Sequence, residues 1–421
     1  MSRVGRAVAL ALACAAAACQ VGGSAPPDPA RPAVALVGGR VQPAPESPAI
    51  ANGVVLIEAG VITAVGSASD VRIPAGAVVL DCAGATVSAG FWNSHVHFMG
   101  QTWQSAETAP AAQLAGALRA MLTSYGVVRV VDTGSFLPNT LALRRRIESG
   151  EIPGPSILTA GTGFAPVGGS PFYIQPFRLP EPSSPDQATA MASAQLEAGA
   201  DAIKLFTGSF ARPDTIVVMD VAIVRAAVEA AHRRGRLVIT HPSNSAGARA
   251  ALEGGVDVLA HTFPTELDRR PWDRSLPPRM RAARMAMIPT LKLWPYELGR
   301  AGLPPAIVAR VLANGQDQLR AFATAGGQVL FGTDVGYMTD YDPTDEYVYM
   351  QAAGLSYAQI LATLTTAPAE RFGVAAKTGR LAPGMDADVT VVEGEPERDI
   401  RALARVRYSL RGGRRIYERK P

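Results

Sequence analysis

Residues 90–98 read GFWNSHVHF. The run is apolar and rich in β-formers, so it reads as a strand, and the alternation of side chains along a strand sends His95 and His97, two apart, to the same side. Downstream, seven more β-rich apolar runs fall at 127–132, 156–160, 202–206, 237–241, 256–261, 286–290 and 329–334, the first run being taken as 86–96. Between them the spacing turns helical, as at Leu114, Leu118, Met121 and Leu122, or at Ile223, Val224, Ala227, Val228 and Ala231. Eight strand–helix units in series predict an α/β fold, a closed (β/α)8 TIM barrel over residues 88–381. An open doubly wound sheet is the competing topology, but no Gly-rich phosphate fingerprint follows a first strand.

Outside the barrel the pattern changes. From 34 to 87 short β-rich runs (VALVGGRV, GVVLIEAGVITAVG, AVVLDCAGATV) are cut by Gly and Pro turns, and 382–421 carries two more, DVTVVE and VRYSLRGGRRIY. Both terminal stretches are predicted to build one small β-sandwich. A chain of 421 residues is long enough for a large barrel plus this smaller unit.

The N-terminus reads as an export signal over residues 1–18. Arg3 and Arg6 precede an apolar run, Ala7 to Ala18, that is shorter than the about 20 residues of a spanning helix. Ala16 to Ala18 lead into Cys19 in the manner of a bacterial lipobox, although Ala16 stands where a large aliphatic is usual. Residues 19–33, rich in Gly and Pro, read as a tether. The expected location is the periplasm, free or held by a lipid on Cys19. Loss of 1–18 leaves 38 basic against 36 acidic residues. That near-neutral balance argues against nucleic acid, and the basic run Arg144 to Arg146 reads as a solvated helix face. Of three cysteines only Cys82 lies in the folded body. An internal disulfide framework is therefore excluded, and Cys82 reads as a small buried hydrophobe.

Chemistry enters with residues that break the apolar pattern at strand ends. His95, His97, His241 (VITHPSN) and His261 (VLAHTFP) each end or follow a predicted strand; the fifth histidine, His232, sits near a helix end and reads as a surface residue. Lys204 interrupts an apolar strand in GADAIKLFTGS, and Asp334 closes VLFGTDVG. Taken singly, each is as readily a packed or solvated residue. In a parallel barrel, however, all carboxyl ends meet on one face, so residues far apart in sequence can share one site.

This set, H-x-H at 95 and 97, Lys204, His241, His261 and G-T-D ending at Asp334, resembles the binuclear branch of the amidohydrolase superfamily. Two flanking stretches, GFWNSHVHF and GRLAPGMDADVTVVEGEP (379–396), resemble its first-strand motif and its return into a composite sandwich. The resemblance implies two divalent metal ions, zinc being the best match to these donors. His95, His97, Asp334 and a carboxylated Lys204 would hold one; Lys204, His241 and His261 would hold the other. It further implies a bridging water whose pKa falls from about 15.7 to about 7, giving a hydroxide nucleophile. Asp334 would then serve as base and acid.

Two departures narrow the activity. His241 is followed by Pro242, Ser243 and Asn244, without the glutamate usual in the deaminase branch, and the loop GTGFAPVGGSP (161–171) lacks a histidine common in the imidazolonepropionase-like group. The resemblance is to exported Xaa-Pro dipeptidases and N-acyl amino acid hydrolases. A cyclic amide or lactone hydrolase on the same site is an alternative, and a metal-free binding protein is disfavoured because all six ligand positions are retained. Lys292, Tyr337 and Arg212 follow strands seven, eight and four, so they are candidate contacts to a small-molecule substrate, with Trp294 and Tyr296 as an apolar wall. Self-association is left open.

Overall fold

The computed structural model describes residues 32–420 apart from Thr265 and Arg269. The export signal at 1–18, Cys19 and nearly all of the 19–33 tether lie outside the described residues. The chain opens with five strands, β1 (Val34–Val41), β2 (Ile50–Glu58), β3 (Val61–Ser67), β4 (Val78–Asp81) and β5 (Ala85–Ala89). The central region follows with β6 (Phe91–Val96), β7 (Val127–Asp132), β8 (Ser156–Thr159), β9 (Ala202–Phe206), the hairpin β10 (Gly208–Arg212) and β11 (Thr215–Val218), β12 (Leu237–His241), β13 (Val258–Ala260), β14 (Ala286–Ile288) and β15 (Gln328–Val329). It closes with β16 (Val389–Glu393), β17 (Val406–Arg411) and β18 (Arg414–Glu418).

The architecture is α/β. Central strands pair in parallel as two arcs, β6-β7-β8 and β9-β12-β13-β14-β15, with helices on their outer side. Isolated bridges connect the arcs at both ends, Phe164 with Leu205 and Val96 with Val335. Hydrogen bonds from Ser94 N to Phe331 O (2.7 Å) and from Asp334 N to His95 O (2.9 Å) run beside the second. Among the described residues the ladders do not form an unbroken ring, because the eighth run, 329–334, is regular only at Gln328–Val329 and then turns irregular toward Asp334. Trp92, Val131, Ala160, Ile239, Val258, Ala260, Ala286, Ile288 and Leu330 pack together as one cluster, the inward-facing set. The predicted helical stripes are buried as expected: Leu114, Leu118 and Met121 on the helix Ala111–Met121, and Val224, Ala227, Val228 and Ala231 on Val221–His232.

The two chain ends join in one eight-stranded sheet ordered β18-β17-β16-β5-β1-β2-β3, where a small sandwich was expected. It branches at β1, whose first half pairs with β4 and whose last residues pair with β5. Cys82 lies in its apolar cluster, fully buried, with the thiol pushed up to about 12 by loss of hydration. One boundary needs correction: the run 86–96 is two strands rather than one. β5 belongs to the terminal sheet and β6 to the central arcs, and Gly90 separates them where any side chain would meet Val128 Cγ2 at 2.3 Å and the backbone of Asp388. Among the described residues no helix is long and apolar enough to cross a membrane.

Candidate metal centre

Four of the predicted donors meet at the carboxyl ends of the parallel strands. His95 and His97 come from β6 and its end, His261 follows β13, and Asp334 lies beyond β15. Asp334 Oδ1 is 2.8 Å from His97 Nε2 and 3.2 Å from His95 Nε2. The ligand atoms of His95, His261 and Asp334 lie within 4.8 Å of one another, and all three residues are buried. Imidazole centroids are 4.6 Å apart for His95 and His261, and again for His241 and His261, so His241 of β12 completes a contiguous ring of donors.

The backbone is bent to make this possible. His261 (φ 74°), Asp334 (φ 63°), Thr290 (φ 43°) and Ser243 (φ 56°) occupy the left-handed region at or beside strand ends, a cost of order 1–3 kcal/mol each that folded structures keep mainly at functional sites. Gly336 (φ 97°) is required for a simpler reason, since a Cβ there would come within 1.8 Å of His97 O. Neighbours fix the ring faces. His97 Nδ1 is 3.0 Å from Gly134 O, and His261 Nδ1 is 2.6 Å from Thr290 Oγ1, whose own hydroxyl donates to Pro289 O at 2.9 Å. Both histidines thus carry their proton on Nδ1 and turn a bare Nε2 into the site, the arrangement that presents imidazole to a metal.

Electrostatics point the same way. Burial pushes His95 down to about 3, with the nearby Lys204 ammonium adding to it. His241 keeps a partial opening to solvent, yet desolvation followed by Lys204 lowers it likewise to about 3. Burial, then His95 and His241, holds His261 well below the usual range. These rings are neutral at pH 7 and able to donate lone pairs. Burial alone would raise Asp334, but the histidines around it hold its carboxyl well below the ordinary range. His95 Nδ1 and Nε2 and Asp334 Oδ1 are buried without a well-formed hydrogen bond. Orphaned acceptors at the centre of a donor ring fit a cation, because an empty polar cluster of this kind would carry an uncompensated desolvation cost.

Lys204 on β9 is buried and coupled electrostatically to His95, His241, His261 and Asp334. Loss of hydration lowers its ammonium to about 8, against the opposing pull of Asp334 and Asp132. Its Nζ lies 5.4 Å from the Phe206 ring, which in turn stacks on His241 at 5.2 Å. Close approach is allowed by Gly163, whose Cα faces Lys204 Cγ and the Phe206 ring.

The predicted substrate contacts divide. Tyr337 is at the site, its ring 5.6 Å from Tyr173, and its phenol is raised by burial and by Glu297 and Asp334. Lys292 is committed elsewhere: its Nζ lies 2.8 Å from Asp340 Oδ2 and donates to Asp342 O. Arg212 is exposed on the β10–β11 hairpin, 3.5 Å from Thr215 Oγ1. Trp294 is buried and donates to Thr262 Oγ1, and the Tyr296 hydroxyl accepts the Thr339 N–H. His232, at its helix end, pairs with Asp257 at 2.9 Å, and the basic run is a helix face on which Arg144 meets Asp201 and Arg146 meets Glu151.

Four contributors were not singled out from the sequence. Asp132, which ends β7 as Asp334 ends its own apolar run, accepts from Ser135 (2.5 Å), Thr159 (2.8 Å) and Thr140 (3.1 Å) and braces the loop whose Gly134 carbonyl orients His97. That parallel with Asp334 was visible in VVRVVD. Thr290, Glu346 and Tyr173 had no comparable signal, since each acts through tertiary contacts alone.

The sequence profile of the amidohydrolase family matches residues 86–416. In three dimensions the chain is similar to a candidate prolidase from Bifidobacterium longum (26% identity, 92% of this chain and 95% of the other covered, TM-score 0.78). It is also similar in fold to a Xaa-Pro dipeptidase with bound methionine in its active site (23%, 92% and 100%, TM-score 0.78) and to the A. niger ochratoxinase (19%, 92% and 96%, TM-score 0.75). No curated protein sequence matches.

Proposed function

The chain belongs to the amidohydrolase family, hydrolytic enzymes acting on carbon–nitrogen bonds, and from that premise we propose that it cleaves the amide bond of a dipeptide or N-acyl amino acid in a metal-dependent reaction. One observation carries the reading: the ligand atoms of His95, His261 and Asp334 converge within 4.8 Å of one another, with both His95 ring nitrogens and Asp334 Oδ1 buried and unsatisfied. His95, His97 and Asp334 would hold one divalent ion, and His241 and His261 a second, with zinc the best match to histidine and carboxylate donors. The ions supply, when bound, activation of water and polarisation of the scissile carbonyl.

The chain's own groups do the rest. Lys204, buried beside both histidine pairs, is suited to add carbon dioxide: its neutral amine forms an N–C bond and releases one proton, leaving a carbamate able to bridge the two positions. Asp334, whose carboxyl lies well below the ordinary range, is the group that would take a proton from the attacking water and return it to the leaving nitrogen. Gly134 and Thr290 hold His97 and His261 in the required tautomers. Tyr173 packs against Tyr337, 5.6 Å between ring centroids, beside the loop that follows Asp334.

The bridges linking the two parallel arcs support a barrel that is functionally closed, and the branching at β1 supports a terminal sheet folded on itself as a small sandwich. The basic-then-apolar start supports export to the periplasm, free or held by a lipid on Cys19. The experiment is metal analysis of the purified protein with a hydrolysis screen over dipeptides and N-acyl amino acids. Two equivalents of metal with turnover are expected, and Lys204→Ala should lose about half the metal and most of the rate. Retention of both by that variant would overturn the bridging role.

A further inference from the structure

Glu297, Tyr173 and Tyr337 form a group of half-buried side chains that the donor ring does not use. Glu297 sits on the helix Leu293–Arg300, and the rings of Tyr173 and Tyr337 meet at 5.6 Å between centroids. The two rings are inclined by 64°, so they make a corner instead of a stack. Phe172 backs Tyr173 edge-on at 5.6 Å.

Backbone and charge tie this group to the histidine cluster. Tyr337 follows Asp334 on a segment pressed against His97: Val335 O accepts the His97 N–H at 2.8 Å, and Gly336 approaches so closely that a Cβ would come within 1.8 Å of His97 O. Asp334 acts electrostatically on Tyr173, Tyr337 and Glu297 alike. The Tyr337 hydroxyl faces the Glu297 carboxylate as its donor, which leaves the ring of Tyr337, and not its proton, free for a ligand.

The carboxylate of the group is under-compensated. Glu297 Oε1 is shut off from solvent and accepts no hydrogen bond. Its cation among the described residues is Arg300, whose Nη1 stays 3.7 Å away and whose side chain is 63% exposed. That guanidinium is drawn instead to Tyr296, lying 5.3 Å from its ring and 3.4 Å from its hydroxyl. Burial raises the Glu297 carboxyl above its ordinary range and Asp334 adds to the rise, so Tyr337 and Arg300 together do not replace the lost hydration. A buried acceptor without a donor costs free energy, which a donor carried by the substrate recovers.

A carboxylate beside two aromatic rings has the chemistry that receives an ammonium ion, because the ring faces are negative and the carboxylate accepts the N–H. In a dipeptide only the α-carbon separates the amino nitrogen from the scissile carbonyl, so the partner of that nitrogen has to stand close to the group that carries the proton. Glu297 and Tyr337 meet this condition through Asp334. We propose that Glu297, with Tyr173 and Tyr337, is the subsite for the protonated α-amino group of the substrate, so that dipeptides with a free amino terminus are cleaved in preference to N-acyl amino acids. The inference rests on the amide-hydrolase reading and deepens it. A neutral acyl chain leaves Oε1 unpaired, and a site built to bond a substrate group discriminates against the analogue that lacks it.

The test compares kcat/KM for Leu-Pro with that for isocaproyl-L-proline, the same molecule with hydrogen in place of the α-amino group. Calorimetric binding of L-leucine and isocaproate, which differ in the same way, runs beside it. Leu-Pro is expected to lead by at least about tenfold, and L-leucine to bind more tightly by a similar factor. In Glu297→Gln both ratios should fall at least about fivefold, because the amine-bearing member loses more than its partner; damage to the fold or to the metal centre lowers both members together. Tyr173→Phe should keep the ratios and Tyr173→Leu should lower them, since only the second change removes the aromatic face. Equal kcat/KM for the two substrates, or ratios indifferent to Glu297→Gln, overturn the inference and leave the hydrolase reading standing. A Glu297-dependent preference for L-leucine without turnover of either substrate has the opposite meaning: the amine subsite stands and the hydrolase reading falls.

Discussion

Lys292 Nζ lies 2.8 Å from Asp340 Oδ2 and donates to the carbonyl of Asp342, which ties the segment after β14 to the loop that carries Tyr337. Two neighbours add to the clamp. Tyr296 OH accepts from Thr339 N at 3.2 Å, and Glu297 lies against Tyr337. Since Asp334 begins that loop, Lys292 acts on the reaction by position. Lys292→Met should lower kcat/KM by roughly tenfold or more through misplacement of Tyr337 and Asp334. Metal stoichiometry should stay unchanged, and steady-state kinetics paired with metal analysis checks both. A loss of metal would make Lys292 part of the centre's support instead.

The position of Lys292 shows where sequence reasoning stops. Its place after the seventh strand was legible, and so was a role near the substrate face, but the partner was not, because Asp340 and Asp342 are brought to it only by the fold. The donor set was far more legible. His95, His97, His261 and Asp334 each interrupt an apolar strand pattern, and a parallel α/β arrangement leaves one place for such interruptions to meet. Strand positions 127–132, 202–206 and 237–241 came through for the same reason, being continuous apolar runs with turn signals on both sides. The run 86–96 misled because Gly90 sits inside unbroken β-formers, and only the approach of Val128 and Asp388 shows that the chain must change sheets there.

Glu346 gives the protein a pH-dependent stability of its own. It is fully buried on the helix Thr344–Ala352, its Oε2 accepts the Lys292 N–H at 2.7 Å, and its Oε1 has no partner. Burial raises its carboxyl from 4.5 to about 7. A group protonated more readily in the folded state stabilises most at low pH, and that contribution is lost as pH rises from 4.5 through about 7. The loss amounts to about 3 kcal/mol at most. Glu346→Gln keeps an acceptor for Lys292 N and removes the ionisation. Its thermal midpoint should therefore fall less than that of the parent between pH 5 and 8, about the window set by these two values, and parallel curves would refute the assignment.

Arg129 holds the terminal sheet to the central strands. From β7 its Nε donates to Asp388 Oδ2 at 2.6 Å and its Nη2 reaches Asp386 at 3.1 Å, while its guanidinium lies 5.5 Å from the Trp92 ring. Asp388 also accepts the Gly412 N–H, so it joins the turn between β17 and β18 to the same centre. Removing one partner of a buried pair leaves the other charge stranded, which costs about 3–5 kcal/mol. Arg129→Met should lower the free energy of unfolding from urea titration by that amount, and Asp388→Asn by somewhat less, because its amide oxygen can still accept from Gly412. A double variant no worse than Arg129→Met alone would show that the two act as one unit.

Thr290 offers a direct test of how His261 is prepared. Its hydroxyl accepts from His261 Nδ1 at 2.6 Å while donating to Pro289 O at 2.9 Å, so the hydroxyl has one role left and the imidazole one tautomer. Thr290→Val keeps the volume and removes the acceptor, which frees the ring to place its proton on Nε2, the nitrogen that a metal needs bare. Outer partners of this kind commonly support metal affinity by about 10- to 100-fold. Competition against a chelator of known affinity should show that weakening for zinc, and Thr290→Ser should restore it. Thr290 also sits at φ 43°, where a β-branched residue is strained, so the valine variant adds no new backbone cost that threonine did not already carry. An affinity unchanged in Thr290→Val would mean that His261 is oriented by its packing between His95 and His241 rather than by this bond.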